Sequence, residues 1–455
     1  MPTAYTILFL LLILVAAATW IIPAGSYDYV DGVPVAGTYH AVEQNPQGVG
    51  DVLKAAFSGF YDAVDVCIFI LMVGGFLGVV MKTGAVDAGV ANIIRLLGGR
   101  EKWLIPILML LFGLGGTTYG MWEETMAFYP LLIPVFLAAG YDAVVGISVI
   151  LLGAGAGVIA STVNPFATGI AAGFAGVSLG EGIVLRLLEW VAFEAAAIWF
   201  VMAYAAKVKK NPSKSVVGVG AGKIQVSMDQ QVPFTAKRKV IMALFTLTFL
   251  IMVYAVVPFD EMGLPLPTLG WWFPELSALF LAAGVVIGLI DRMGEEELVE
   301  TYVAGCADLL GVAFIIGISR GITVLMRDGA ITDTILHWGE AALSGAGAVS
   351  FTLLVFALYL PLTILIPSSS GLATLSIPIV APLGKFAGVG GDLVVTAFQS
   401  ASGLVNILTP TAAVVMGALA LGHVPYDRWV KYVWKLMAVF LLLALAFLAA
   451  GVLLG

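Results

Sequence analysis

The sequence predicts an all-α polytopic membrane protein made of two inverted repeats, each with a re-entrant helical hairpin and a discontinuous helix. Three observations lead there. Of 455 residues, 61% are hydrophobic and 11% charged, and the mean hydropathy is +1.05, whereas a soluble domain carries roughly 25% charged residues. Apolar runs of the length that a hydrocarbon core of about 30 Å requires, about 20 residues each, recur from Tyr5–Ile22 to Tyr432–Leu454. The polar interruptions of the first half return in the same order in the second.

The elements follow in chain order. The run Tyr5–Ile22 has no basic residue before it and is followed by more membrane pattern, so it reads as the first transmembrane helix and not a cleaved leader. The loop Ala24–Val52 carries Asp28, Asp31, Glu43 and Asp51 with no Lys or Arg, which places it outside. A helix over 59–81 returns, and Val86–Leu97 has the pattern of an amphipathic surface helix. Residues 103–139 are apolar but broken by GLGGTTYGMWEE, which fits a re-entrant hairpin with its tip at Gly115, Gly116, Thr117 and Thr118. A helix over 143–176, interrupted at STVNPF, and another over 183–206 complete a first repeat, 1–206. Next comes the basic linker, 207–238; Lys207, Lys209, Lys210, Lys214, Lys223, Lys237, Arg238 and Lys239 stand against a single acid, Asp229, which predicts a cytoplasmic position.

The unit 239–455 holds one unmatched helix, 239–257, which reverses direction, and then the second repeat. Phe69, Met81, Lys82 and Gly84 fall on Phe314, Met326, Arg327 and Gly329, all displaced by 245. Pro130 and Pro134 correspond to Pro378 and Pro382, giving a second hairpin over 348–384. Asn164-Pro165 corresponds to Thr409-Pro410, giving a second broken helix over 391–420. Ile331–Leu343 joins Val86–Leu97 as a candidate surface arm. Inverted repeats of this kind mark secondary transporters.

Unpaired backbone groups cost several kcal/mol in hydrocarbon, so irregular chain persists at that depth only when buried in protein or lining a wet cavity. The breaks are therefore candidate sites. In the second hairpin Pro367, Ser368, Ser369, Ser370 and Gly371 form the tip, and Asn406, Thr409 and Thr411 lie at the second broken helix. Thr117 and Thr118, with Ser161, Thr162 and Asn164, take those places in the first repeat. Their neutral oxygens suit Na⁺ as coupling ion, with H⁺ the alternative; close packing of small polar residues is the plain structural reading.

Charges that break the symmetry carry more information. Glu123 and Glu124 fall opposite Gly371 and Leu372, and Arg320 falls opposite Gly75, so the fold itself requires none of them. A charge at the centre of a membrane helix costs about 2.5–3.5 kcal/mol on insertion scales and marks function by default. Adjacent helical residues point about 100° apart; one Glu of the pair is expected in the cavity and the other paired within the protein. Arg320 is expected either to hold a substrate carboxylate or to neutralise a nearby Glu. Glu189 and Glu194 read as structural or interfacial, with Arg186 and Glu189 able to pair three residues apart.

The net charge of −8 opposes nucleic-acid binding. Cys67 and Cys306 sit in apolar surroundings, the histidines His40, His337 and His423 are scattered, and no Ser-His arrangement has context. Neither transition metal, cofactor nor enzyme is expected.

At GMWEETMAFYPLLIP, NPF, ISRGI, PSSSGLATLSIPIVAPLG and ILTPTAAVVMGAL the chain resembles the C4-dicarboxylate anaerobic carrier-like family of the ion-transporter superfamily, in particular its branch named for basic-amino-acid antiport. The resemblance covers nearly the whole chain. It implies the inner membrane of a prokaryote, a homodimer, and elevator motion of hairpins and broken helices against a scaffold. The expected function is secondary transport of a small carboxylate-bearing solute, foremost an amino acid, by symport or exchange. Glu123 or Glu124 would meet its cationic end, and Arg320 or the hairpin hydroxyls its carboxylate. A C4-dicarboxylate or short-chain carboxylate is the rival substrate, and a channel the rival class.

Overall fold

The computed structural model describes residues 4–86, 88–89, 92, 100–178, 180–218, 233–256, 259 and 265–454. Helix α1 (Ala4–Ala18) leads into a loop with four two-residue strands, β1 (Gly25–Ser26), β2 (Tyr29–Val30), β3 (Val33–Pro34) and β4 (His40–Ala41), where β1 pairs with β4 and β2 with β3. There follow α2 (Val49–Asp62), α3 (Val64–Lys82), α4 (Leu104–Tyr119), a 3₁₀ segment (Glu123–Phe128), α5 (Tyr129–Ala138) and α6 (Ala143–Ile159). A π turn (Pro165–Gly169) leads to α7 (Ile170–Ala175), α8 (Ile183–Lys210) and α9 (Ala236–Val256). Then come α10 (Phe273–Asp291), α11 (Glu295–Asp328), α12 (Thr332–Leu343), α13 (Ala348–Leu365) and α14 (Ser369–Phe386). The last are α15 (Gly391–Asn406), α16 (Ala413–Leu421) and α17 (Tyr426–Leu454). Among the described residues, Val64–Lys82, Phe273–Asp291, Glu295–Asp328, Ala348–Leu365 and Tyr426–Leu453 are each long and apolar enough to cross a membrane.

Two groups of helices pack together. In the first, α11 lies along α2 and α3, with α1, α9 and α10 around them. Glycines set the closeness of this crossing. A Cβ on Gly74 would come 2.5 Å from the Gly305 carbonyl oxygen, and one on Gly59 would come 2.1 Å from that of Gly317, so any side chain would push α11 away. Tyr302 adds a hydroxyl bond of 3.0 Å to the Met72 carbonyl. In the second group α4 and α5 pack on α6, α13 and α14 on α15, and α6 crosses α15, with α8 and α17 flanking. Here Gly403 lies against the backbone of Ile159. The groups meet where α11 touches α16 and α3 touches the 3₁₀ segment.

Several expectations need correction. The helix expected over 59–81 is two helices joined at Ala63, whose φ −124 and ψ 23 are not helical, and it begins ten residues earlier, at Val49. The sequence reading named no helix between 257 and 302, yet α10 fills 273–291. Gly115, Gly116, Thr117 and Thr118 are not a tip but the last turns of α4. Gly116 serves packing: a Cβ there would meet the Ala154 carbonyl oxygen at 2.2 Å. The chain turns instead at Gly120, which takes a left-handed φ of 77. Helices α13 and α14 are separated between Leu365 and Ser369. The chain is also non-helical at 160–164 and 407–412. Most of Val86–Leu97 and residues 219–232 of the linker lie outside the described residues.

Candidate functional site

The first hairpin delivers its charges through an irregular turn. After Gly120 the chain cannot resume an α-helix at once, because Trp122 sits at φ −135 and ψ −68. Glu124 then folds back, and its carboxylate accepts the Trp122 backbone N–H at 3.1 Å. Glu124 is 6% exposed and serves the turn. Glu123 points elsewhere, into a cavity of about 30 Å³ that it shares with Trp122, Arg320, Ser319, Asn406 and Thr411. Glu124 thus holds the turn and Glu123 lines the cavity.

Each wall of this cavity comes from a different element. Arg320 and Ser319 belong to α11, in the first helical group; Glu123, Asn406 and Thr411 belong to the second. Pro367, from the second hairpin tip, closes one side. Arg320 is the cationic group acting on Glu123, yet among the described residues neither is in an ion pair. Two opposite charges thus face one space without closing on each other. Its volume suits one or two waters or a small ion, so a larger solute requires the two helical groups to part.

The breaks themselves are largely satisfied from within. At the gap after α6, the Ala160 carbonyl accepts from the Thr117 hydroxyl at 2.8 Å, the Thr162 carbonyl from Arg186 at 3.4 Å, and the Val158 carbonyl from Gln399 at 2.7 Å. Thr162 donates in turn to the Thr117 carbonyl at 2.9 Å. At the gap after α15, Tyr426 bonds the Leu408 carbonyl at 2.7 Å and Trp429 the Ile407 carbonyl at 3.1 Å. The expected ion ligands are the neutral oxygens at the breaks, hydroxyl and carbonyl alike; buried backbone groups find partners, and for these carbonyls side chains supply them. What stays without a hydrogen bond is side-chain oxygen: Ser161 Oγ and Asn406 Oδ1 are buried and unpartnered.

The remaining expected residues divide clearly. Thr409 and Thr411 share a hydroxyl contact of 2.8 Å, and Ser319 donates to the Thr411 carbonyl, tying α11 to the break. Asn164 lies against Gly120, where a Cβ would come 2.4 Å from its Nδ2. Ser368 caps α14 by accepting the Gly371 N–H at 3.2 Å, with Ser370 3.4 Å away and Ser369 in the first turn. Thr118 bonds the Leu114 carbonyl of its own helix at 2.6 Å and does not join the cavity. Sequence reasoning missed Trp122, Ser319 and Gln399. The first two adjoin a flagged charge, which was the available signal; Gln399 had none beyond its polarity in an apolar helix.

A second, larger crevice of 1520 Å³ leads toward this cavity from the end of the protein that bears Lys82, Asp427, Arg428 and Lys431. It reaches Val312, Ile315 and Met416, and the small cavity begins at Ile316. Met126 and Val312 both pack at Gly417.

Comparison with known proteins adds a family. The profile described as "C4-dicarboxylate anaerobic carrier" matches residues 1–453. A protein of Haemophilus influenzae with no assigned activity is 35% identical, over 97% of this chain and 95% of its own. The Escherichia coli protein printed as "Putative basic amino acid antiporter YfcC" is 31% identical over 95% and 92%. Among solved structures, the YdaH transporter of Alcanivorax borkumensis matches with TM-score 0.43 and 14% identity over 99% and 98% of the two chains. MtrF of Neisseria gonorrhoeae, described as one of a class of antimetabolite efflux pumps, matches with 0.44 and 18% over 99% and 95%. The chain is a multi-pass membrane protein and belongs to the C4-dicarboxylate anaerobic carrier family of transporters.

Proposed function

We propose that this transporter carries an α-amino acid as a zwitterion, with its ammonium toward Glu123 and its carboxylate toward Arg320. One observation carries this reading: the two unpaired charges of opposite sign that border a single cavity at the helix breaks. A dicarboxylate would find one cation and one anion there, and Glu123 would repel its second carboxylate. The C4-dicarboxylate reading draws on the family description and on Arg320 with the Thr411 hydroxyl; it needs Glu123 to be protonated. The amino-acid reading also agrees with the name of the Escherichia coli relative.

The order of elements supports two inverted repeats. The pair α2 and α3, at 49–82, and the single helix α11, at 295–328, occupy matching places before each hairpin, and α10 takes the place of α1. In the proposed cycle the hairpins and broken helices move as one body against α1–α3 and α9–α11. Arg320 stays behind while Glu123, Asn406 and Thr411 travel, so a bound solute bridges the two bodies in one state only. Asn406 and Ser161 oxygens offer places for a coupling Na⁺. The protein works as a homodimer in a prokaryotic inner membrane, with the basic linker in the cytoplasm, and the crevice past Lys82 and Asp427 is the cytoplasmic entry.

A thermal-shift screen of the purified protein tests this. A ligand that binds the folded state raises its stability by mass action; amino acids should do so, with dicarboxylates and monocarboxylates weaker. Stabilisation by dicarboxylates alone would instead establish the family's named substrate.

A further inference from the structure

Glu194 is a buried carboxyl that neither the substrate cavity nor the reading above uses. It was expected to be structural or interfacial, yet it is 2% exposed inside a single chain. It stands in the middle of α8, twelfth of the 28 residues of Ile183–Lys210. Its carboxylate oxygens are buried, and among the described residues the donor beside them is the Trp190 indole N–H.

The space it fills is made by a glycine. A Cβ on Gly113 of α4 would lie 2.5 Å from Glu194 Oε2 and 3.2 Å from the indole nitrogen of Trp190. Gly113 is pinned on its other side, where a Cβ on Gly157 of α6 would come 2.2 Å from the Gly113 carbonyl oxygen. The carboxyl is thus clamped between α8 and α4, beside the Trp190 indole N–H.

Among the described residues, Glu194 is in no ion pair. Helices α4 and α6 contain no charged residue. On α17 the charged residues run from Asp427 to Lys435, short of Phe440, which meets Phe193 at a ring separation of 4.8 Å. On α8 itself Arg186 faces the break at Thr162, and Glu189 bonds Ser400 of α15 at 2.9 Å. An isolated carboxylate in such surroundings carries a large desolvation cost and is relieved by taking up a proton. A metal ion fits poorly, because it would need several more oxygens and would sit against the Trp190 donor.

We propose that Glu194 is a proton-binding site, which takes up a proton on one carboxylate oxygen when α4 and α8 are closed and releases it to water when they part. No other bond changes. The site reaches the substrate cavity through α4, since Gly120 lies seven residues beyond Gly113, about 10 Å along the helix, and carries the turn that holds Glu123. Proton binding and the position of Glu123 are thereby linked. The proposal requires that α4 move during transport but does not depend on which solute is carried.

Dicyclohexylcarbodiimide, which adds to protonated carboxyl groups in apolar sites, gives a test without substrate. The full-length protein in lipid is treated across about pH 5 to 9, and the adduct at Glu194 is quantified by peptide mass mapping. The expected yield falls with rising pH, by about tenfold per unit once the group titrates, and no adduct forms at this position in Glu194→Gln. A yield that stays constant with pH would make Glu194 a permanently neutral structural acid, and no adduct at any pH would remove the site; either overturns the proposal. If the variant does not fold, the wild-type pH series decides alone.

Discussion

The two hairpins occupy the same place in the two halves of the chain and turn by different chemistry. The first ends α4 in a left-handed glycine, Gly120, and spends Glu124 on holding a 3₁₀ segment. The second ends α13 at Leu365 and restarts as a regular helix under a serine cap, Ser368. A cap satisfies the first N–H groups of a helix with a neutral oxygen and needs no charge. An irregular turn leaves more backbone to satisfy, and here a carboxylate does it. The difference teaches that one acid of the Glu pair holds the turn, while the other, Glu123, lines the cavity and is the one proposed to meet the ligand.

The strongest way to break this comparison is at Gly120. A valine there would adopt a left-handed backbone at a cost of about 1–3 kcal/mol and collide with Asn164. Gly120→Val should therefore lower the yield of monodisperse protein or its melting temperature sharply, whereas Gly371→Ala in the second hairpin should not, because that helical position offers only the Ser368 side chain at 3.2 Å. Size-exclusion profiles and melting curves of the two variants check the contrast. Equal behaviour would mean that the turns are not built differently.

A middle-sized effect belongs to Glu124. Glu124→Gln keeps the shape and loses the charge of the bond to the Trp122 N–H, a bond of the class worth about 1.5–3 kcal/mol when charged. Melting should fall while ligand affinity stays within about threefold, less than 1 kcal/mol. A large loss of affinity with unchanged melting would place Glu124, not Glu123, at the ligand. The smallest effect belongs to Ser368→Ala, which removes a cap worth about 1 kcal/mol. Melting should drop slightly, with no change in the Na⁺ response of uptake; loss of that response would make the serine an ion ligand.

How much of this was legible in the sequence depends on what each feature needs. Breaks in apolar runs were readable, because Asn164-Pro165, Thr409-Pro410 and Pro367 interrupt a helix through local chemistry. The asymmetry of Glu123, Glu124 and Arg320 was readable too, since comparing the two halves needs no coordinates. The exact tip of the first hairpin was not. Gly115 and Gly116 carry the same local signal as a turn, and only the packing of α4 on α6 shows why Gly116 is there. That Arg320 and Glu123 meet across two helical groups, or that Gln399, Tyr426 and Trp429 take the freed carbonyls, depends on contacts between residues far apart in the chain. The buried position of Glu194 is of the same kind, set by a glycine on another helix.

The claim that Glu123 receives the ammonium of an amino acid is tested most directly by one pair of affinities. The dissociation constants of the wild-type protein and of Glu123→Gln are measured for an amino acid that stabilises the protein and for its deaminated analogue. The wild type should prefer the amino acid by roughly ten- to a hundredfold, the worth of a charge-assisted contact of about 1.5–3 kcal/mol, and the variant should bind the two nearly alike. An undiminished preference in Glu123→Gln would contradict the account.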